Sequence, residues 1–328
     1  KDVADSLSQA SLRGVDSHGV RLLPHYIEAL RSGRINPNPG LKFKKTAAAA
    51  GVVDADHAFG HAAGAFAMRQ AIRLAQKSGT GAVSVANSSH FGAAAFFTLI
   101  AADKGMIGIS FTHADSLMIS AGGRRAYLGT NPIAFAAPVA GEDPFCLDMA
   151  TSLVTWNKIL QMRLIDRMAP MGWGVDAEGC ETGDVQKIRA LSPIGSYKGY
   201  GLSMMVEVLC GILTGMPFGR HIVRMYADPL SKKRRLGHFF CAIDINAFVP
   251  LQSFKRRLRE MMEELRGEPP LDADHPVLVP GDPEKAVAAQ RIVSGIPLAS
   301  HDAQALKKLA DSLKVRWIKN ISEVAAGV

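Results

Sequence analysis

Apolar residues recur along this chain with two periods, and the switches between them predict an alternation of helices and strands. Val3, Leu7 and Leu12 fall at helical spacing, so residues 1–13 read as the end of an amphipathic helix. The stretch already reads as mid-helix, and the chain is expected to extend upstream of Lys1. Leu22 to Leu30 predicts a short helix, stopped by Ser32-Gly33 and the proline-spaced loop Ile35–Pro39. Strands are expected at Phe43–Thr46 and Ala50–Asp54. Over residues 62–78, Ala63, Phe66, Ala67, Ala71, Leu74 and Ala75 recur at steps of three and four, which predicts a helix ended by Ser78-Gly79. A buried strand at Ala82–Ala86, a small-residue helix at Ala93–Lys104 and a strand at Met106–Thr112 continue the alternation. Its fold class is α/β.

Strands at Ile133–Pro138 and Phe145–Met149 come next, after two loops rich in glycine and proline. Residues 162–190 show no regular period, and Gly199–Leu213 predicts a long apolar helix. Its stretch 203–216 is the nearest approach to a membrane span, but Glu207 interrupts it and it falls short of about 18 apolar residues. It reads as a buried core helix, and no membrane partner is expected. A strand at Leu236–Ile245, a charged amphipathic helix at Phe254–Leu265, a proline-rich loop at 271–283 and a helix at 299–314 complete the reading.

At 328 residues the chain is long enough for one large α/β unit or two that share a cleft, and 48% hydrophobic with 21% charged residues is ordinary for a globular protein. The formal charge of +8 raises the question of nucleic acid. The dense basic run is Lys232–Arg235, with a looser set at Lys255, Arg256, Arg257 and Arg259, and neither is interleaved with aromatics. A positive field that draws in small anions fits better than a nucleic-acid partner. Cys146, Cys180, Cys210 and Cys241 form no CxxC pair, which excludes a cysteine zinc site and a disulfide framework. A reduced, cytoplasmic setting is the expectation, and no signal-peptide pattern is visible.

Candidate chemistry concentrates in residues 14–26, GVDSHGVRLLPHY. His18 and His25 can pass protons near neutral pH, and Arg21 offers a planar fork for a carboxylate. A proton-transfer group three residues from such a clamp suits a hydroxy-acid or keto-acid site; a polar helix start with His25 and Tyr26 packed on a neighbour is the other reading. His90 follows a short apolar strand, where open α/β sheets bind ligands, or it caps the next helix. Asp148 ends another strand and could orient a histidine or bind a ribose hydroxyl, with Thr151 and Ser152 as helix caps. Lys198, among glycines at a helix start, suits phosphate or carboxylate, or is simply solvated. His238, beside two phenylalanines, reads as structural, and Pro280–Glu284 reads as a turn. No GxGxxG opens a helix after a strand, and there is no Walker loop and no HExxH. No metal site is expected.

The ordered motifs SHGVRLLPHY, GRINPNP, SSHFG, GTNPIAF, LDMATS, YKGYGL, LGHFF and PGDPE resemble the malate/L-lactate dehydrogenase family that lacks a Rossmann fold, to which ureidoglycolate, sulfolactate and diketogulonate enzymes also belong. The resemblance runs from residue 3 to about 314. It implies a family-specific NAD(P)-binding fold with a mixed sheet flanked by helices, and hydride transfer between NAD or NADP and C2 of a small 2-hydroxy or 2-oxo acid. His18 or His90 would be the proton-transfer group, Arg21 the carboxylate clamp and Tyr26 a neighbour of the substrate. Asp148, Met149, Ala150, Lys198, Gly199, Pro280, Gly281 and Asp282 would line the cofactor site. The resemblance also implies a homodimer. The hydrophobic pattern along the chain divides residues 1–115 with 270–328, expected to be a substrate and dimerisation portion, from 116–269, expected to be a central cofactor portion. Reduction of cyclic 2-carboxy imines, or a catalytically silent member that binds anions, are the alternatives. Two departures bear on substrate and cofactor preference, Ser89 where the family has Asn and Tyr197 where it often has His, and the segment 163–184 matches the family poorly.

Overall fold

The computed structural model describes residues 1–317. Helices α1 (Asp2–Leu12) and α2 (Leu23–Arg31) lead to β1 (Lys42–Ala47) and β2 (Ala50–Asp54), an antiparallel pair. Helix α3 (Gly60–Ser78) returns to β3 (Thr80–Ser88), parallel to β2, and α4 (Ala95–Ala102) leads to β4 (Met106–Thr112). Short strands β5 (Met118–Ile119) and β6 (Ala126–Leu128) precede the antiparallel pair β7 (Ile133–Ala137) and β8 (Phe145–Met149). Then come α5 (Trp156–Leu164), β9 (Gly174–Val175), β10 (Ala190–Leu191) and α6 (Tyr197–Glu207). The chain continues through β11 (Leu236–Asp244), α7 (Leu251–Arg266), α8 (Asp282–Ser294) and α9 (Ser300–Ser312).

Seven strands form one mixed sheet in the order β1-β2-β3-β11-β4-β7-β8, so its last strand in sequence lies at its centre. Alternation along β11 explains how helices cover both faces. Phe240 and Ala242 join Val83, Val85, Met68 and Phe97 under α3 and α4, whereas Phe239 packs with Phe111, Val206 and Cys210 under α6. Contact on the first face is close: a Cβ at Gly81 would lie 2.1 Å from the Ala71 carbonyl of α3. A mixed sheet flanked by helices is therefore the architecture, as the sequence led us to expect. The sheet draws strands from both portions expected from the sequence, since β4 pairs with β7 across residue 115.

Three differences from the sequence reading have physical causes. A second sheet, β6-β5-β10-β9, is built of strands only two or three residues long, too short to show a period. Helix α5 lies partly inside the segment read as irregular, and Thr155 caps it by accepting from the Lys158 N–H. The third concerns residues 203–216, which are not a buried core helix. Ser203, Val206, Glu207 and Cys210 are buried, but Met204, Met205, Val208, Ile212 and Leu213 are exposed. The α-helix ends at Glu207 and continues as a wider π-helical turn over Val208–Ile212, with the sheet covering one side of it.

Candidate active site

Strands β3, β4 and β8 run in the same direction, and the loops that leave their carboxyl ends converge on the turn Asp16–His18. Together they enclose a cavity of about 430 Å³. This is the edge where open α/β sheets bind ligands. His18 and His90 both line it, with ring centroids 5.6 Å apart and planes 19° from parallel. His90 reaches back from the cavity to Tyr26, whose hydroxyl lies 2.6 Å from Nδ1. Tyr26 is 1% exposed and stands behind the wall rather than on it. With Nδ1 engaged, Nε2 is the nitrogen of His90 left for a ligand. Ser17 holds Nδ1 of His18 at 2.9 Å. Asp16 is taken by Arg291 of α8 in a bidentate pair at 2.6 and 2.8 Å, which braces the turn.

Burial sets the charge of these rings. It lowers His18 to about 4, helped by the nearby Arg21 charge, and it pushes His90 well below the ordinary histidine value. Both imidazoles are therefore neutral at physiological pH, the state in which a ring can accept a proton. His61, fully buried edge-on to Tyr26, is pushed to about 3 by the same cause. His238 is structural, as read: it bonds Thr112 at 2.7 Å and Ser88 at 2.8 Å, and burial lowers it to about 3.

Arg21 is not on the cavity wall. Its guanidinium faces Asp302 of α9, with Nε 3.8 Å from the carboxylate, and Leu22 faces the cavity instead. Spacing alone put Arg21 beside His18, because residues three apart on one helix share a face. The backbone breaks that register. Asp16–His18 and Val20–Leu22 are separate 3₁₀ turns, divided by Gly19 in an extended conformation (φ −90°, ψ −157°).

Asp148 and Ala150 stand on the wall at the end of β8. One oxygen of Asp148 accepts from the Ala95 N–H at 2.8 Å, so Asp148, not His90, caps α4. The carboxyl keeps exposed surface toward the cavity, yet the enclosing walls, with Glu284 nearby, push it up to about 6 against the pull of that bond. Met149 follows in the strand and does not line the cavity. Pro280 and Gly281 lie one layer back: the Pro280 carbonyl accepts from the N–H of Cys146, itself a wall residue, at 3.2 Å. Asp282 instead pairs with Arg266. Lys198 is exposed in the first turn of α6, and neither it nor Gly199 reaches the wall. Thr151 and Ser152 bond the Thr130 and Val154 carbonyls and cap nothing.

Sequence reasoning missed an entire wall, residues Arg224–Ala227 facing Asp115–Leu117. Two buried arginines build it. Arg34, 2% exposed, donates to the carbonyls of Met225, Asp228, Pro229 and Lys232. Arg234, equally buried, donates to the Val223 carbonyl and pairs with Asp115, which also accepts from the Met225 N–H. Met225 then packs on Leu22 and Tyr26, and Tyr226 meets His25 edge-on at 5.2 Å. Asn131 of the GTNP motif anchors the facing strip: it accepts from the Ala114 N–H and donates to Glu207. The available signal was the pair Arg34 and Arg234 inside conspicuous motifs, but their partners are main-chain carbonyls that no side-chain pattern reveals.

A family model described as malate/L-lactate dehydrogenase matches residues 1–307. The chain is 37% identical over 329 residues to a malate dehydrogenase of Pyrococcus abyssi, covering 97% of this chain and 90% of that protein. It is 36% identical over 311 residues to the ureidoglycolate dehydrogenase (NAD(+)) of Escherichia coli, covering 95% and 88%. The crystal structure of malate dehydrogenase from Entamoeba histolytica superposes with a TM-score of 0.91 at 31% identity, covering 96% of this chain and 91% of that one.

Proposed function

The chain belongs to the malate/L-lactate dehydrogenase family and is an NAD(P)-dependent 2-hydroxy-acid dehydrogenase or 2-oxo-acid reductase, and we propose that His90 is its proton-transfer group. The observation that carries this assignment is the 2.6 Å contact from Tyr26 to Nδ1, which fixes the ring and directs Nε2 to the cavity. The substrate is a small anionic 2-hydroxy or 2-oxo acid. In oxidation, neutral His90 takes the hydroxyl proton at Nε2 while its Nδ1–H donates to the Tyr26 oxygen. In reduction, protonated His90 returns that proton to the carbonyl oxygen. His18, stacked on His90, limits where the substrate oxygen can sit.

The cavity fits a nicotinamide cofactor. One oxygen of Asp148 is free beyond its helix cap, positioned as a partner for a sugar hydroxyl, and Ala93, Ala94, Ala95 and Ala150 leave room for a flat ring. Bound there, NAD or NADP accepts or supplies the hydride at C2. Of the remaining residues implied by the resemblance, Pro280 and Gly281 support this wall through Cys146. We further propose that the protein is a homodimer, a reading supported by the apolar row Met204, Met205, Val208, Ile212 and Leu213 left open on α6 and its continuation. The cytoplasm is the proposed location, supported by four unpaired cysteines.

The experiment is to follow reduced-nicotinamide absorbance with NADH and NADPH separately, against pyruvate, oxaloacetate and other 2-oxo acids. Oxidation with one of them fixes cofactor and substrate together. Silence throughout, with no cofactor binding, overturns the reading.

A further inference from the structure

A 2-hydroxy or 2-oxo acid presents a carboxylate next to the reacting carbon, and on the proposed reaction the site must hold that anion. Imidazoles that burial keeps neutral do not supply the charge. Among the described residues the cavity wall carries two permanent cations, Arg13 and Arg224. Arg13 belongs to the Asp148 end, where its charge lowers both Asp148 and Cys146 and where Glu284 also lines the wall. That places it at the end proposed above for the cofactor.

Arg224 sits differently. It directly precedes Met225, which packs on Leu22 and Tyr26 beside the two site histidines. Asp228 accepts from the Arg224 main-chain N–H at 2.8 Å and from Nε at 3.2 Å, which fixes the stem and the plane of the guanidinium. Its two terminal nitrogens make no hydrogen bond among the described residues. That leaves the edge of the fork that grips a carboxylate through two parallel bonds unengaged. The mount is rigid, because buried Arg34 and Arg234 hold the carbonyls on either side, those of Val223 and Met225. Arg21, by contrast, points at Asp302 and ties the Val20–Leu22 turn to α9.

We propose that Arg224 is the residue that grips the substrate carboxylate, and that Arg21 is a structural tether. The inference rests on the dehydrogenase reading above.

The test compares wild type, R224A, R224K and R21A as full chains, by steady-state kinetics and by thermal-shift titration with oxamate in the presence of cofactor. Oxamate is an unreactive 2-oxo-acid analogue, so its binding is read without turnover. Loss of two charge-assisted hydrogen bonds predicts that R224A raises KM for the acid and weakens oxamate about a hundredfold, with a smaller fall in kcat. R224K, which keeps the charge but not the fork, falls between R224A and wild type. R21A shows the smaller change in KM. Equal oxamate binding by wild type and R224A overturns the proposal, as does a larger KM rise in R21A. Failure of wild type to bind oxamate also overturns it. Oxamate binding lost only in R224A, without turnover of any acid, supports the clamp and counts against the reaction alone.

Discussion

The wall that carries His18 and His90 hangs from the edge of a seven-stranded sheet, whereas the wall that carries Arg224 and Met225 is a loop, Ile222–Arg235, with no helix or strand of its own. The first is positioned by strand ends and side-chain contacts: Tyr26 on His90, Ser17 on His18, Arg291 on Asp16. The second is positioned by two buried guanidinium groups bonded mainly to carbonyl oxygens. On the proposed roles, proton chemistry sits on the stiff frame, and recognition sits on a loop stiffened from inside. Loops tolerate sequence change better than strands do, so a family can vary the second wall while keeping the first.

Cutting each wall separately sharpens this contrast. His90→Ala should have the largest effect, lowering turnover by about a thousandfold with cofactor affinity unchanged. Single-turnover kinetics and cofactor titration check it, and near-normal turnover would remove His90 from the mechanism. Arg34→Met strips four carbonyls of their partner and should cost about 3 kcal/mol of stability in urea. It should also raise KM for the acid more than it lowers kcat, because the chemical wall stays intact. A variant that loses kcat alone would show that the two walls are not separable.

Tyr26→Phe should cost about tenfold in kcat. Without the hydroxyl, Nδ1–H of the protonated ring loses its acceptor, so the reductive rate should fall more than the oxidative one. An equal loss in both directions would reduce Tyr26 to packing. A further effect is on stability against pH. His18 and His25 titrate at about 4 in the folded protein, and His61 and His238 at about 3, against an ordinary value of 6.5. Below 6.5 the unfolded chain takes up protons that the folded chain refuses, so their stabilisation is complete above 6.5 and is lost as pH falls toward 4. Melting temperatures should hold level from pH 8 to 7 and decline below 6.

Much of the frame was legible because its elements are long. Met106–Thr112 and Phe145–Met149 were read to the residue, and α3 within two residues of its start. His90 was legible as a histidine just past a strand. Three things were hidden for separate reasons. The inward turn of Leu22 depends on the ψ of Gly19, which no spacing rule contains. The wall that carries Arg224 depends on hydrogen bonds to main-chain carbonyls, which every sequence has. The exposure of Val208 and Leu213 depends on which side of an apolar helix the sheet happens to cover.

The place of β11 between β3 and β4 has a consequence for how the molecule is made. During synthesis, the strands that precede it emerge without their central member. The sheet cannot close until Asp244 has left the ribosome, some 130 residues after the end of β4. Closure across so long a stretch is slow, and until then the edges of β3 and β4 stay open to other chains. The loop that carries Arg224 ends at Arg235, directly before β11 begins, so that wall and the sheet are completed in one event. A chain cut short before Leu236 has neither.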